Sequence, residues 1–330
     1  MRQIGIGILV LILYSTSLFA QNNRSAVSLT GNDAATCTVP DPCRTFNTAI
    51  SKTNAGGEVI VLSSAGYGPF TVNKSISIIS PPAYHAAMAP TSGDAITINV
   101  DNALVVLRGL TLNGSLGGVN GITFSGAATA SNTRVYVENC VISGFSGGFG
   151  VNFARNGTLY ISELIAREND TAIFVDSNVS SPSLVSIDHA LMEQNIGNGL
   201  EVENATVAIR DSVAAGNTVG FWARAGTGGA LADLSADNCQ ASHNGFGFYA
   251  GSAFGTARLS VSNSVSSLNN NSGISANNNG TVGASNNTVV RNLYGLVQLN
   301  TGVFESRGNN TVRGNTTMDI SGTITTFAGQ

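Results

Sequence analysis

Side chains that could carry acid–base chemistry are concentrated in one part of this chain, between residues 163 and 237. Carboxylates can hold Ca²⁺, and an arginine or histidine beside them can take a proton from the carbon next to a sugar carboxyl group. The candidate catalytic residues for such chemistry are Glu163, Asp188, His189, Arg210 and Asp211.

A second group of candidate residues is suited to binding. Trp222 is the single tryptophan of the chain, and Tyr249 and Phe174 occupy the equivalent place in other repeats, with Glu201 in the same column. Exposed aromatic rings at this spacing can stack on sugar rings. The alternative is that a loop, for instance residues 226–229, folds over the aromatic side chains.

The relative positions of the residues in both groups can be predicted because the chain repeats from about residue 133 to residue 320. One asparagine recurs in each unit, at intervals of 26, 22, 27, 25, 23 and 23 residues. A repeat with a period of this length predicts a solenoid, whose units bury their apolar faces only against neighbouring units. The recurring residues are Asn169, Asn195, Asn217, Asn244, Asn269, Asn292 and Asn315.

The runs on either side of each asparagine predict β-strands. VSIDHALM precedes one asparagine and GLEV (199–202) follows it, and both alternate in polarity and are rich in β-formers. Coils of such strands would stack equivalent residues roughly 4.8 Å apart. Asparagine tolerates the left-handed geometry of a bend, and its amide can bond to the amides above and below it. We therefore predict an asparagine ladder; chance recurrence in an asparagine-rich chain is the alternative.

The first 20 residues are typical of a secretory signal. Arg2 precedes an apolar stretch at residues 4–13, and small and polar residues lead to a cleavage point after Ala20. A membrane anchor is the alternative, but the stretch is shorter than the ~20 residues that span a bilayer. We expect export to the periplasm or the medium, with no membrane span after cleavage.

Residues 21–43 form a polar segment before the predicted solenoid domain, residues 44–330. Cys37 and Cys43 are close in sequence, and in an exported protein they are expected to form a disulfide. Cys140 and Cys239 share one inward column four coils apart, which is too far to bridge. We interpret both as buried core residues.

A short helix is predicted near the start of the solenoid, where it would cap the exposed apolar end. Phe46, Ala49 and Ile50 have helical spacing, and Thr45 is a plausible N-cap. Further along, the proline-rich residues 81–90, which include His85, are predicted to form an inserted loop.

Composition excludes several classes of function. The formal net charge is −4 and nothing forms a basic patch, so we expect neither nucleic acid nor an anionic membrane as a partner. Cys37 and Cys43 lack further ligands at usable spacing, so no metal site is predicted. We expect a monomer that needs no cofactor.

Several stretches of the chain resemble known proteins. They are CRTFNTAISKTNAGGEVIVLSSAGYGPFTVNKSISI (43–78), VVLRGLTLNG (105–114) and the NCVISG type of coil (139–144). They are similar to the right-handed parallel β-helix proteins of the pectate-lyase-like superfamily. The resemblance implies an all-β fold, a single-stranded right-handed parallel β-helix (solenoid) of about ten coils with a short N-terminal capping helix.

The resemblance does not specify an activity, because the superfamily includes lyases, hydrolases, epimerases and adhesins. The Asn-Thr-Asp, Asp-Asp, Gly-His-Gly and Arg-Ile-Lys signatures of its polygalacturonase-like hydrolases do not occur here. Our leading hypothesis is a secreted protein that binds extracellular or cell-wall polysaccharide without clear catalytic motifs. A polysaccharide lyase acting on acidic polysaccharide with Ca²⁺ is one alternative, and a structural or adhesive surface protein is another.

The charged residues also allow a purely structural interpretation. Asp188, Arg210 and Asp237 alternate in sign up one column, and Arg167 lies beside Glu193 in adjacent coils. Exposed ion-pair ladders of this kind contribute roughly 0–1 kcal/mol per pair. Neighbouring columns of a strand point to opposite faces, so we expect that the five catalytic candidates do not all meet in one cleft.

Overall fold

The repeats fold into a right-handed parallel β-helix of about ten turns, described here from a computed structural model. The structure describes residues 22–125, 132–177, 183–226 and 229–327. The predicted signal segment, residues 1–20, lies outside this part of the chain. No helix among the described residues is long and apolar enough to cross a membrane.

Each turn contributes one short strand to each of three parallel sheets, which we call sheets 1, 2 and 3 in chain order. Sheet 1 contains Asn22–Val27, Thr53–Val61, Ile76–Ile79, Leu104–Arg108, Arg134–Glu138, Thr158–Ser162, Ser183–Asp188, Ala205–Arg210, Leu231–Asp237, Val303–Ser306 and Ile324–Thr326. Sheet 2 contains Ala65–Gly66, Ala86–Met88, Leu110–Asn113, Val141–Ser143, Ile165–Arg167, Leu191–Glu193, Val213–Ala215, Gln240–Ser242, Val265–Ser267, Thr288–Val290 and Thr311–Arg313. Sheet 3 contains Phe70–Val72, Ile96–Ile98, Ile122–Phe124, Phe149–Ala154, Thr171–Asp176, Asn198–Glu203, Val219–Ala223, Tyr294–Gln298 and Met318–Ser321. Two strands, Phe246–Ser262 and Ser272–Ser285, continue from sheet 3 into sheet 1.

The core is a set of side-chain columns that run along the axis of the solenoid. In sheet 3, Leu200 pairs with Phe221, and the ring of Phe221 stacks on that of Phe248 with centroids 4.8 Å apart. Every member of this column is at most 2% exposed, so the predicted inward stack is confirmed. Its members are Val151, Ile173, Leu200, Phe221, Phe248, Ile274 and Leu296.

The recurring asparagines line the buried bend between sheets 2 and 3. Asn217 is representative: its backbone N–H and its Nδ2 both donate to Oδ1 of Asn244, at 2.9 and 3.1 Å. The same Nδ2 also donates to the carbonyl of Met192 at 3.0 Å. This pattern links each asparagine to the next from Asn169 to Asn315. The ladder therefore pairs backbone groups that the bend would leave unsatisfied inside the protein.

The N-terminal end is closed by the helix Phe46–Lys52. Thr45 is its N-cap and accepts a hydrogen bond from the Thr48 backbone N–H at 3.3 Å. Ahead of the helix, Asn22–Val27 pairs in parallel with Thr53–Val61. The strand Asn22–Val27, which lies in the polar segment predicted at residues 21–43, is therefore part of sheet 1. Its second half is buried, and pairing in the sheet satisfies the backbone groups there.

The four cysteines fall into two pairs with different environments. Cys37 and Cys43 form a disulfide with Cα atoms 4.6 Å apart. Cys140 and Cys239 are free and buried, in line with the core assignment. Burial raises the pKa of each of these two thiols to about 11.

The prediction of an inserted loop at residues 81–90 is wrong. Ala86–Met88 is a strand of sheet 2, and it pairs with Ala65–Gly66 on one side and Leu110–Asn113 on the other. The three prolines, at positions 81, 82 and 90, lie outside the strand and remove no ladder hydrogen bond from it. The side chains of Ala86 and Met88 are buried and that of Ala87 is half-buried, which is the alternation of a strand. His85 lies immediately before this strand.

Candidate functional site

The outer face of sheet 3 brings together the four predicted ligand-binding residues. Phe174 pairs with Glu201, Glu201 with Trp222, and Trp222 with Tyr249, in four successive turns. The residues alternate with the buried core column, so their side chains lie on the outside of the sheet. Sequence register alone thus located this column.

The aromatic rings on this face form two groups on either side of Glu201. Trp222 and Tyr249 have ring centroids 5.8 Å apart and are tilted by 51°. Phe174 stacks on Phe149 with centroids 4.6 Å apart and planes 14° from parallel. All four rings are partly exposed, so their apolar surface is available for stacking.

Glu201 is 7% exposed and both of its carboxylate oxygens are bonded. Asn198 Nδ2 donates to Oε2 and Arg224 Nη1 donates to Oε1, each at 2.7 Å. The Arg224 guanidinium in turn lies 5.2 Å from the centroid of the Trp222 ring. The tryptophan is therefore held beside a charged pair, a contact that favours one ring orientation.

Two further carboxylates lie in the next outward column of the same strands. Asp176 pairs with Glu203 in adjacent turns, and Glu203 also bonds to Arg224. Asn204 Nδ2 donates to Asp176 Oδ1 at 2.7 Å. We call Asp176, Glu201, Glu203 and Arg224 the acidic cluster. Three carboxylates against one guanidinium give it a charge of −2 when all are ionised.

Two members of the acidic cluster, Glu203 and Asp176, have raised pKa values. Burial raises the pKa of Glu203; Arg224 opposes this, while Glu201 and Asp176 add to it by repulsion. Burial also raises the pKa of Asp176, against the hydrogen bond from Asn204. Buried carboxyls with raised pKa values are typical of functional sites.

The two amides that support the cluster are incompletely bonded. Asn198 and Asn204 are each 7% exposed, and each donates to a carboxylate. Their Oδ1 atoms are buried and accept no hydrogen bond. An unpaired buried acceptor carries a cost of about 1–3 kcal/mol, so two of them beside one charged cluster require an explanation.

Asp176, Glu203 and Arg224 were not predicted as site residues, although the register of the repeats contains them. The aligned runs after each asparagine ended at residues 175, 202 and 223, one position before these residues. Extending each run by a single residue would have placed two acids and a base in one column. Their burial could not have been inferred, because it depends on the loops that leave the strands.

The five catalytic candidates lie elsewhere, along the bend between sheets 1 and 2. Ligand atoms of Asp188, His189 and Asp211 lie within 4.8 Å of one another. Three of the five candidates therefore approach one another although they come from neighbouring columns, and the expectation that all five do not meet in one cleft stays a prediction. His189 and Asp211 have φ values of 53° and 50°, and left-handed geometry interrupts the alternation of a strand. Glu163, with φ 53°, occupies the same bend one turn earlier.

Within that bend Asp188 is paired with two basic side chains. Arg210 Nη2 lies 2.9 Å from Asp188 Oδ2, and His189 Nδ1 lies 2.7 Å from Asp188 Oδ1. Slight burial acts to raise the pKa of Asp188, but the hydrogen bonds from Arg210 and His189 lower it below its ordinary value. The expected continuation of the ladder to Asp237 is not formed, since that carboxylate accepts from Ser262 Oγ instead, at 2.7 Å.

Comparisons with known proteins agree on the fold. No family model matches the chain, and no curated protein matches its sequence. The A-module of mannuronan C-5 epimerase AlgE4 from Azotobacter vinelandii superimposes with a TM-score of 0.61 at 14% identity, over 83% of this chain and 90% of the module. The Dettilon tailspike protein gives 0.57 at 12% identity, over 90% of this chain and 68% of that one. Pectate lyase Pel9A gives 0.52 at 16% identity, over 88% and 78%.

At these identities the likeness concerns the path of the backbone and not the side chains of any site. The matches cover the solenoid that the sequence repeat predicted. The chain is a right-handed parallel β-helix with the pectate-lyase-like fold.

Proposed function

We propose that this protein is exported and binds a polysaccharide along the outer face of sheet 3. The observation that carries the proposal is the pairing of Trp222 with Tyr249 in adjacent turns, 5.8 Å between ring centroids, at the edge of a polar cluster. Aromatic rings offer flat apolar surface to the C–H faces of sugars. Glu201 and Arg224 supply hydrogen-bonding groups beside them.

The fold neighbours support a carbohydrate polymer as the partner. One is named as an epimerase of mannuronan and another as a lyase of pectate. A solenoid face is long and nearly straight, and this geometry suits a chain of repeating units. Export is inferred from residues 1–20 and from the disulfide between Cys37 and Cys43.

The test is binding to a panel of immobilised polysaccharides by the mature wild-type protein and by Trp222→Ala. We expect retention on at least one polysaccharide and a loss of affinity of about tenfold or more in the variant, which corresponds to about 1.4 kcal/mol. Tyr160→Ala is the matched control, because Tyr160 is an exposed aromatic on sheet 1 that stacks on Tyr136 at 4.7 Å. Equal retention of all three proteins would refute the assignment of the binding face.

A polysaccharide lyase is a second candidate, favoured by the approach of Asp188, His189 and Asp211 to within 4.8 Å. Ca²⁺ takes oxygen ligands, so the histidine nitrogen fits it poorly and only the two carboxylates suit it. The test is absorbance from unsaturated product on polyuronates with Ca²⁺, which Arg210→Ala should abolish. A purely structural or adhesive protein would show neither glycan retention nor product.

A further inference from the structure

We propose that the glycan bound on sheet 3 is an amino-sugar polymer whose ammonium groups are held by the acidic cluster and by the side-chain oxygens of Asn198 and Asn204. This inference rests on the proposed function, since it names the class of ligand for the same face. It differs from the polyuronate chemistry that the names of two fold neighbours suggest.

Charge is the first argument. Arg224 is shared between Glu201 and Glu203, and Asp176 lies beside Glu203 in the preceding turn. The cluster therefore keeps a net charge of −2 from three carboxylates and one guanidinium. Burial is the first cause of the raised pKa values of both Glu203 and Asp176, and at Glu203 repulsion from Glu201 and Asp176 adds to it. A cationic ligand would relieve this repulsion, whereas a uronate would increase it.

Arg224, the arginine of the acidic cluster, and Arg155, which is buried against the ring of Phe124, are both already bonded and do not offset that charge for an incoming anion. Arg224 is bonded to two carboxylates. Arg155, which follows the strand Phe149–Ala154, is bonded to Asp101 and to the carbonyl of Ser125. A uronate carboxylate would have to displace one of these partners before it could form a bidentate pair.

Two buried amide oxygens that accept no hydrogen bond, on Asn198 and Asn204, also favour a ligand that donates hydrogen bonds. Oδ1 of Asn198 and Oδ1 of Asn204 are buried acceptors without donors, and their amides contact Glu201 and Asp176 respectively. An ammonium group offers three donors and no acceptor, which complements a site that consists of carboxylate and amide oxygens.

The position of Trp222 relative to the cluster fits one sugar unit. Arg224 follows directly after the strand Val219–Ala223 that contains Trp222, and the spacing of extended chain puts the two residues about 7 Å apart. A hexose ring stacked on the indole would thus place a ring substituent beside Glu203, the neighbour of Arg224 in the preceding turn. The aromatic ring recognises the sugar face, and the cluster recognises the charged substituent.

A divalent metal ion is less suited to this cluster than an organic cation. Across the described parts of the chain, the group whose ligand atoms approach within 4.8 Å is Asp188, His189 and Asp211, on a different surface. The carboxylates of the acidic cluster are held apart by Arg224, which bonds to two of them. Coordination of one ion by all three would require the arginine to leave.

The experiment compares three oligosaccharides of equal length by titration calorimetry at about pH 6, where amines are protonated: a glucosamine oligomer, its fully N-acetylated counterpart and an oligouronate. We expect the glucosamine oligomer to bind at least about tenfold more tightly than the other two, with affinity that falls as salt is added. Chelation with EDTA should leave the affinity unchanged.

The variants are Glu203→Gln and Asp176→Asn, each a nearly isosteric removal of one charge, so that one suffices if the other fails to fold. Each should reduce the affinity for the glucosamine oligomer at least about threefold more than it reduces the affinity for the N-acetylated oligomer. Glu305→Gln, an exposed carboxylate on sheet 1, is the matched control and should change neither.

The outcomes separate this inference from the proposed function. Equal or tighter binding of the N-acetylated oligomer or of the oligouronate, with dependence on Trp222, overturns the inference and leaves polysaccharide binding intact. Loss of glucosamine binding in EDTA also overturns it, in favour of a metal bridge. Absence of binding by every glycan, with no effect of Trp222→Ala, refutes the proposed function itself.

Discussion

Arg224 Nη1 lies 2.7 Å from Glu201 Oε1, although 23 residues of chain separate the two. The contact spans one turn of the solenoid, and the Glu201 side chain is 9% exposed while that of Arg224 is 42% exposed. It is the most buried charge pairing on the outer face of sheet 3 that involves a predicted ligand residue. The behaviour of this face should therefore depend on it.

Removal of Arg224 should destabilise the protein more than removal of an exposed arginine. Arg224→Gln leaves Glu201 and Glu203 without their cation, so we expect a loss of about 1–3 kcal/mol in the free energy of unfolding. Arg210→Gln is the control, because Arg210 makes a similar cross-turn pair with a side chain 65% exposed, and it should lose less than about 1 kcal/mol. Urea unfolding measures both, and equal losses would contradict the prediction.

Replacement of a ladder asparagine by alanine should destabilise the protein most in the middle of the ladder. Asn217→Ala removes the acceptor of the Asn195 backbone N–H and the donor to the Met192 carbonyl, both buried. We expect a loss of about 2–4 kcal/mol. At the end of the ladder, Asn315 is only partly buried, so Asn315→Ala should cost less than half as much. Similar thermal midpoints for the two variants would contradict the predicted difference between the middle and the end of the ladder, and midpoints equal to that of wild type would show that the ladder does not stabilise the solenoid.

Stability should depend on pH in opposite directions for two carboxyl groups. Glu203 has a folded pKa raised above 4.5, so the folded state binds the extra proton and stability falls as the pH rises through the window above 4.5. Glu203→Gln should therefore gain stability relative to wild type as the pH is raised towards neutrality. Asp188 has a folded pKa lowered below 3.8, so Asp188→Asn should be less stable than wild type at neutral pH and equal to it in strong acid. Melting curves from acid to neutral pH measure both differences, and a shift of the same sign for both variants would contradict the prediction.

The two free thiols should be unreactive in the native protein. Burial raises the pKa of Cys140 and of Cys239 to about 11, so little thiolate forms at neutral pH and reagents cannot reach it. We expect no alkylation by iodoacetamide in the native state and two labelled cysteines after denaturation without reductant. Rapid native labelling of either residue would contradict its place in the core. Labelling of Cys37 or Cys43 under the same conditions would contradict the disulfide between them.

Much of the fold was predictable because each turn of a solenoid repeats the same local sequence pattern. The inward column that contains Phe221 and the N-cap at Thr45 both follow from patterns within two dozen residues or fewer, and the structure has them where the patterns placed them. The strand Ala86–Met88 escaped prediction, because proline and alanine gave no β signal and only pairing with neighbouring strands stabilises it.

The candidate site was predictable only as far as strand alternation holds. Register alone placed Trp222 beside Tyr249, since both lie within regular strands. At His189 the backbone turns left-handed and alternation fails, so Asp188 and Asp211 meet where the pattern kept them apart. No periodic pattern encodes that reversal, because the dihedral angles of a bend are set by its packing against the turns above and below.

By itself the amino-acid sequence determined which residues are neighbours along the axis, since a fixed period and the strand spacing leave one register that buries the apolar column. The tertiary structure decided which of the outward side chains are buried. Glu201 and Glu203 are ordinary surface acids in the repeat pattern, yet packing by Asn198 and Arg224 leaves them less than a tenth exposed. Burial is a property of all the chain that surrounds a residue, and for this reason the chemistry of the acidic cluster emerged only from the folded protein.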